Sequence, residues 1–148
     1  MSAATPPAPR GRDYVCRFRV YYEDTDAGGV VYYANYLKFA ERARTELLRD
    51  LGVSQRSLAE QRGTVFAVRR MEADFLAPAY LDDELEVRTK LLSRGGARLD
   101  MGQVIERDGE DLVRMRVEIA CVNGKGRATR IPAPVAGLFA GAGDGGSG

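Results

Sequence analysis

The chain of 148 residues contains no histidine and no tryptophan, and its only cysteines are Cys16 and Cys121. Without an imidazole, neither Ser-His-Asp nor Cys-His catalysis can be assembled, and two distant cysteines do not match a zinc site. Both cysteines occupy apolar positions of strand-like patterns, which predicts buried thiols rather than a disulfide. A carboxylate is therefore the natural catalytic group, and we expect a metal-free protein in a reducing, cytoplasmic compartment.

Excess charge and long apolar runs are also missing. Lys and Arg number 22 against 21 Asp and Glu, so the net charge is +1 and gives no general basis for a nucleic-acid partner. No apolar run approaches the roughly 20 residues that cross a bilayer, so we expect no membrane insertion. A Gly-x-x-x-x-Gly-Lys loop is absent, which disfavours phosphoryl transfer.

The length suits a single domain with its own core. Residues 1–12 are rich in Pro and Ala, and residues 138–148 are rich in Gly. Such composition lacks the apolar content that compensates for ordering. We therefore expect two disordered tails around one domain at residues 13–137.

Residue periodicity within this domain predicts one long helix and a sheet. The segment 34–51 has a helical repeat of apolar residues that ends at Gly52, and 54–62 is either a short helix or an irregular connection. Five segments have the apolar alternation of strands: 14–22, 64–76, 84–92, 97–107 and 112–122. Asp108-Gly109 predicts a hairpin between the last two. The result is an α+β domain whose remaining sheet surface a second copy could cover.

A loop with two aspartates and two glycines precedes the long helix. Asp24 and Asp26 are followed by Gly28 and Gly29, and glycines let a substrate approach the backbone closely. A carboxylate beside an unpaired helix N-terminus is suited to acyl transfer, because the acid can activate water or attack a carbonyl while the amides stabilise the oxyanion. The alternative is that both acids only shape an Asx turn or cap the helix.

Three blocks carry a resemblance to a known family: YYEDTDAGGVVY from Tyr21, ANYLKFAERARTELL from Ala34 and FAVRRMEADFLAPAYLDD from Phe66. Over about residues 14–132 the chain resembles the hotdog-fold acyl-CoA thioesterases, in particular the 4-hydroxybenzoyl-CoA thioesterase-like, YbgC-type family. The resemblance implies a long helix wrapped by a curved antiparallel sheet. It also implies homodimers or homotetramers with active sites between subunits, and a thioester of coenzyme A or acyl carrier protein as substrate, with no separate cofactor.

The same resemblance assigns residues to roles. It makes Asp26 the general base or nucleophile and a backbone amide at or next to Tyr33 the oxyanion donor. Tyr33 stands where the family pattern usually has histidine. A phenol is a poor base at neutral pH, so its side chain is either catalytic through a hydrogen bond or a packing aromatic.

Residues expected to bind the substrate fall into two groups. One group lines the loop and the helix start: Gly28, Gly29, Val30 and Tyr32. The other consists of basic residues that could hold coenzyme A phosphates: Lys90, Arg94 and Arg130. For each basic residue taken alone, a solvated surface charge is the alternative.

Other functions remain open at this point. Glu41 on the helix can pair with Lys38, so we interpret it as structural. A hotdog hydratase or dehydratase is one rival, although those sites generally combine an acid with histidine. A non-catalytic acyl-thioester-binding or interaction protein with the same fold is the other.

Overall fold

The computed structural model describes residues 5–10, 13–133 and 135. Its helices are α1 (Tyr33–Asp50) and α2 (Gln55–Arg62). Its strands are β1 (Thr5–Arg10), β2 (Asp13–Arg19), β3 (Val65–Phe75), β4 (Glu84–Arg94), β5 (Arg98–Arg107) and β6 (Glu110–Val122). All pairings in the resulting sheet are antiparallel, in the order β1-β2-β4-β5-β6-β3. The predicted α+β hotdog fold is confirmed.

The structure corrects one predicted strand boundary and shows the conformation of one segment that the sequence left open. The first predicted strand reaches residue 22, but β2 ends at Arg19 and residues Tyr22–Asp24 form a 3₁₀ turn. The chain turns there because the buried Asp24 carboxylate accepts a hydrogen bond from the Tyr21 amide at 2.8 Å. The uncertain segment 54–62 is a helix, which Ser54 caps by accepting a hydrogen bond from the Ser57 amide.

The N-terminal residues differ from the predicted disordered tail. Residues 5–10 form β1, an edge strand paired with β2, with a register shift between Thr5 and Ala8. Pro6 and Pro7 lie at this shift. An edge strand tolerates proline because only one side of it must donate to the sheet, so a proline-rich composition did not prevent pairing. The predicted C-terminal tail at 138–148 lies outside the described residues.

The hairpin that Asp108-Gly109 predicts is present between β5 and β6. Asp108 and Gly109 have φ values of 51° and 83°, the two positive angles of a type I′ turn. Aspartate and glycine tolerate these angles, which explains why this turn was predictable.

Helix α1 buries one face against the inner surface of the sheet. Phe39, Ala40, Ala43 and Leu47 are almost completely inaccessible, and the ring of Phe39 lies 5.3 Å from that of Phe18 on β2. The small side chains of Ala40 and Ala43 let the helix approach the sheet closely. At this contact the Gln103 amide donates to the Ala40 carbonyl at 3.0 Å.

The two cysteines belong to this core, as predicted. Neither forms a disulfide within the described part of the chain, and both side chains are at most 1% exposed. Burial raises the pKa of Cys16 and of Cys121 to about 11. Neither thiol is therefore a ready nucleophile at neutral pH.

Strand β3 forms the edge of the sheet opposite β1, paired on one side with β6. Exposed apolar side chains occur along it and just beyond it: Val65, Val68, Phe75, Leu76, Tyr80 and Leu81. An edge strand of eleven residues with exposed apolar side chains offers unpaired backbone groups to another strand. No helix among the described residues is long and apolar enough to cross a membrane.

Candidate active site at the start of the long helix

The acid loop, residues 23–31, is a closed turn that ends directly before α1. The Asp26 amide donates to the Val30 carbonyl at 2.8 Å, and Thr25 bridges to Val31. The Val31 amide then donates to the Ala79 carbonyl at 2.9 Å, which attaches the loop to the connection between β3 and β4. These bonds hold the loop in one conformation beside the helix.

The Asp26 carboxylate is exposed and only partly engaged. Its Oδ1 accepts hydrogen bonds from the amides of Gly28 at 2.8 Å and Val30 at 3.4 Å. Within the described part of the chain, Oδ2 has no hydrogen-bond donor. The Asx-turn alternative is thus correct for one oxygen, and the other remains open to a substrate or a water molecule.

The two glycines serve different geometric needs. A Cβ on Gly28 would lie 3.3 Å from Asp26 Oδ1, so a side chain there would crowd the carboxylate. Gly29 has φ of +83°, which a residue with a side chain adopts at a cost. Gly28 therefore keeps the Asp26 carboxylate accessible, and Gly29 supplies the backbone conformation of the turn. Val30, half-buried, closes the turn by bridging to Tyr80.

The N-terminus of α1 faces this loop with unneutralised amides. Tyr32 is the N-cap and provides no side-chain cap, and the first turn contains no acid. The Asn35 amide donates to the Tyr32 carbonyl at 2.8 Å, whereas among the described residues no acceptor binds the amides of Tyr33 and Ala34. These two donors and the positive end of the helix dipole can stabilise an oxyanion.

Aromatic rings form a wall on one side of the helix start. The ring of Tyr33 lies 4.8 Å from that of Tyr32 and 6.0 Å, edge to face, from that of Phe75. Tyr33 is 58% exposed, and a hydrogen bond to its phenol raises the pKa of Tyr32. The side chain of Tyr33 thus packs as an aromatic while its backbone amide stays available.

Tyr36, on the buried face of α1, supports the acid loop from the helix. Its buried phenol oxygen accepts a hydrogen bond from the Ala79 amide at 2.8 Å, and burial raises the pKa of Tyr36. Since the Ala79 carbonyl accepts from the Val31 amide, one residue, Ala79, connects the helix to the acid loop. Arg107 supports the same connection by donating to the Pro78 carbonyl and to Asp83. The sequence offered no signal for Arg107.

The predicted phosphate-binding residues lie elsewhere in this chain. Lys90 is exposed on the face of the sheet opposite α1, between the inward-facing Thr89 and Leu91. Arg94 ends β4, and its side chain is outside the described part of the structure. Arg130 is exposed next to Ile131, whose amide donates to the Gly96 carbonyl in the β4–β5 turn.

The length of β4 shows how far Arg94 and Arg130 lie from Asp26. The Glu84 end of β4 adjoins the acid loop, because the Val20 amide donates to the Asp83 carbonyl. Arg94 is at the other end of this strand of 11 residues, and the steps between them at about 3.3 Å each make the two ends roughly 33 Å apart. One chain does not bring Arg94 and Arg130 together with Asp26.

A small cavity of about 70 Å³ lies further along α1. Glu41 and Arg44 line it together with apolar side chains of β3, β5 and β6. No ion pair joins Glu41 to Lys38 among the described residues, so that predicted interaction is not seen. The described residues also contain no cluster of three or more acids or cysteines that could hold a metal ion.

Comparison with known proteins agrees with this geometry. Residues 20–139 match the family model described as the thioesterase-like superfamily. The chain is 44% identical to the acyl-CoA thioesterase YbgC of Haemophilus influenzae over 82% of this chain and 90% of that protein. It is 47% identical to the acyl-CoA thioester hydrolase YbgC of Escherichia coli O6:H1 over 71% of this chain and 78% of the relative.

A solved structure extends the likeness to the fold. The probable thioesterase from Bartonella henselae superposes with a TM-score of 0.76 at 42% identity, covering 81% of this chain and 99% of the other. The matched region includes the acid loop, both helices and strands β3 to β6. The chain belongs to the thioesterase-like superfamily, as the resemblance of its three sequence blocks had implied.

Proposed function

We propose that this protein is an acyl-CoA thioesterase that hydrolyses a thioester to a carboxylic acid and free coenzyme A at the junction of the acid loop with α1. The observation that supports this most directly is the open Oδ2 of Asp26 beside two unpaired helix amides. Its relatives in Haemophilus influenzae and Escherichia coli carry the names of acyl-CoA hydrolases. Two buried cysteines that form no disulfide among the described residues fit the cytoplasm as its compartment.

In the proposed reaction, the thioester carbonyl oxygen binds the amide of Tyr33 or Ala34. As a nucleophile adds to the carbonyl carbon, negative charge develops on this oxygen, and the amides with the helix dipole stabilise it. Asp26 provides the nucleophile, either by accepting a proton from water or by attacking directly. The carbon–sulfur bond then breaks, and coenzyme A leaves as the thiol, taking the proton that water gave to Asp26 or, in the direct route, a proton from solvent. In the direct route, water then hydrolyses the mixed anhydride between the acyl group and Asp26, which releases the carboxylic acid and restores the carboxylate.

The coenzyme A end of the substrate requires a second subunit. Strand β3 pairs with β6 so that Phe75 lies at the acid-loop end and Val65 lies at the Arg130 end. If two copies pair antiparallel through their open β3 edges, the Val65 end of one copy lies beside the Phe75 end of the other. The partner's Arg94 and the partner's Arg130 then come to the same end as Asp26. We propose a homodimer at least, with these cations on the phosphates.

The reaction is tested by incubating the protein with a panel of acyl-CoAs, aliphatic and aromatic, and following released thiol with a thiol reagent. We expect release from at least one member, in proportion to protein concentration. Binding of acyl-CoA without thiol release would contradict the proposal and favour the non-catalytic module. Reversible hydration without release would favour a hydratase instead.

Mixed dimers test the contribution of two subunits to one site. Asp26→Asn removes the acid and Arg130→Glu removes a cation, so each homodimer is defective. A heterodimer of the two has one site with both original residues. Refolding the variants together should restore a component with the wild-type KM, at up to a quarter of wild-type activity. Activity no higher than the mean of the two homodimers would show that Asp26 and Arg130 do not share a site.

A further inference from the structure

Asn35, the third residue of α1, connects the helix to the acid loop. Its Nδ2 donates to the Asp24 carbonyl at 2.8 Å in a half-buried position. The same carbonyl accepts from the Tyr32 amide at 3.2 Å, so both of its lone pairs are used. Asp24 is two residues before the carboxylate of Asp26, and Tyr32 is directly before the oxyanion donor of Tyr33.

The loop holds Asp26 with its own backbone and meets the helix at the Asp24 carbonyl. Asp26 is held by Gly28 and Val30, both within the loop. The loop's outer side binds Ala79, in the connection between strands. On the inner side, the Tyr32 amide and Asn35 Nδ2 both donate to the Asp24 carbonyl. The position of this carbonyl therefore helps to set the separation between the Asp26 carboxylate and the Tyr33 amide.

The chemistry of asparagine suits this role. A carbonyl only accepts, so the residue must donate, which excludes an ionised aspartate. An acid at this position would also neutralise the helix N-terminus, whose first turn contains no acid. A neutral amide donor makes the connection and leaves the positive end of the dipole to the substrate.

We infer that Asn35 is a positioning residue, which acts on hydrolysis by holding the acid loop at a set distance from the amides of α1. The inference rests on the proposed thioesterase function. Asn35 does not contact the reacting atoms. Displacements of about 1 Å between reacting groups can cost roughly 10²-fold in rate, so loosening this connection should be visible in kcat.

The experiment uses Asn35→Ala, which removes the donor, and Asn35→Asp, which also adds a charge. We expect kcat to fall about tenfold for Asn35→Ala and about 10²-fold for Asn35→Asp, with KM within about threefold of wild type. Asn123→Asp is the matched control, because Asn123 uses its Oδ1 to accept from the Lys125 and Arg127 amides, and aspartate keeps that oxygen.

Each substitution is repeated in an Asp26→Asn background, and thermal unfolding is measured throughout. A positioning role predicts no further loss when Asp26 is already replaced, and a Tm near that of the parent. Unchanged kcat, an equal loss in both backgrounds, or a loss that follows Tm would overturn the inference while the thioesterase function stands. A wild-type protein without thiol release would overturn both.

Discussion

Helix α1 contacts two polar clusters that differ in how completely their hydrogen bonds are made. In the core, the Gln103 cluster is closed: the Gln103 amide donates to the Ala40 carbonyl and to Thr89, and its oxygen accepts from Arg44 at 2.9 Å. At the helix start, the cluster is open: one oxygen of Asp26 and two helix amides are without partners among the described residues.

This difference separates structure from function. Buried polar groups must be satisfied, because each missing partner costs about 1–3 kcal/mol, and the Gln103 cluster obeys that rule. Exposed groups at the helix start can bind water until a substrate arrives, so their unused capacity costs little. Substitutions in the closed cluster should therefore affect folding, and those in the open cluster should affect the reaction.

The largest effect is expected for Asp26→Asn. Asparagine keeps Oδ1 for the Gly28 amide, so the turn and the stability should be retained. Loss of the base or nucleophile should lower kcat about 10³-fold. Steady-state thiol release and thermal unfolding measure the two quantities. Asp50→Asn, at the exposed other end of α1, is the control and should keep full activity; a similar loss there would point to general damage.

Tyr33→Pro should have the next largest effect. Proline lacks the amide hydrogen, and the first helical position tolerates it. Tyr32, with φ of −63° and ψ of 134°, already has the extended conformation that precedes proline. We expect kcat to fall about 10²-fold because an oxyanion donor is lost. Tyr33→Phe keeps the amide and should stay within about threefold of wild type. If phenylalanine is as damaging as proline, the phenol is the catalytic group.

Gln103→Leu should lower the stability of the fold rather than the activity. It leaves the buried Arg44 and Thr89 without their shared partner, at a cost of about 2 kcal/mol in the free energy of unfolding. Activity per folded molecule should remain within about twofold of wild type. Urea denaturation gives the free energy, and Gln55→Leu on the exposed side of α2 is the control. A stable Gln103→Leu variant with low activity would reverse the roles of the two clusters.

The thiols should give the smallest effect. Burial raises the pKa of Cys16 and Cys121 from 9.0 to about 11, so the folded state holds protons that the unfolded state releases. Their contribution is complete below pH 9 and is lost as pH rises towards 11. Over this pH range, the Tm of the double variant Cys16→Ala, Cys121→Ala should fall less than the Tm of the wild type. An equal loss would exclude the thiols as the cause.

Sequence patterns indicate the open cluster more readily than the closed one. Alternation located the core face of β5, but it could not show that Gln103, a polar residue on that face, meets the Ala40 carbonyl, because this contact depends on the close approach of α1. The acid loop could be located from the sequence because Asp26, Gly28 and Gly29 are close neighbours along the chain. Asn35 lies in the sequence block that begins at Ala34. Its role as a hydrogen-bond donor could not be predicted, because the acceptor is a carbonyl eleven residues away.

The phosphate-binding prediction marks another limit. Lys90, Arg94 and Arg130 were chosen by charge and proximity to turns, which says nothing about the distance from Asp26. Strand direction places Arg94 and Arg130 at the far end of the sheet, and only a second copy would reverse that separation. Lys90 instead lies on the face of the sheet opposite α1. Composition likewise missed β1, because edge pairing of a proline-rich segment depends on the neighbouring strand.

The most direct test of the central claim measures thiol release and unfolding free energy side by side for wild type, Asp26→Asn and Gln103→Leu. The account predicts that Asp26→Asn loses about 10³-fold in kcat at unchanged stability. It predicts that Gln103→Leu loses about 2 kcal/mol of stability at nearly unchanged activity per folded molecule. If activity and stability fall together in both variants, or if Asp26→Asn remains active, the open cluster is not the site of hydrolysis.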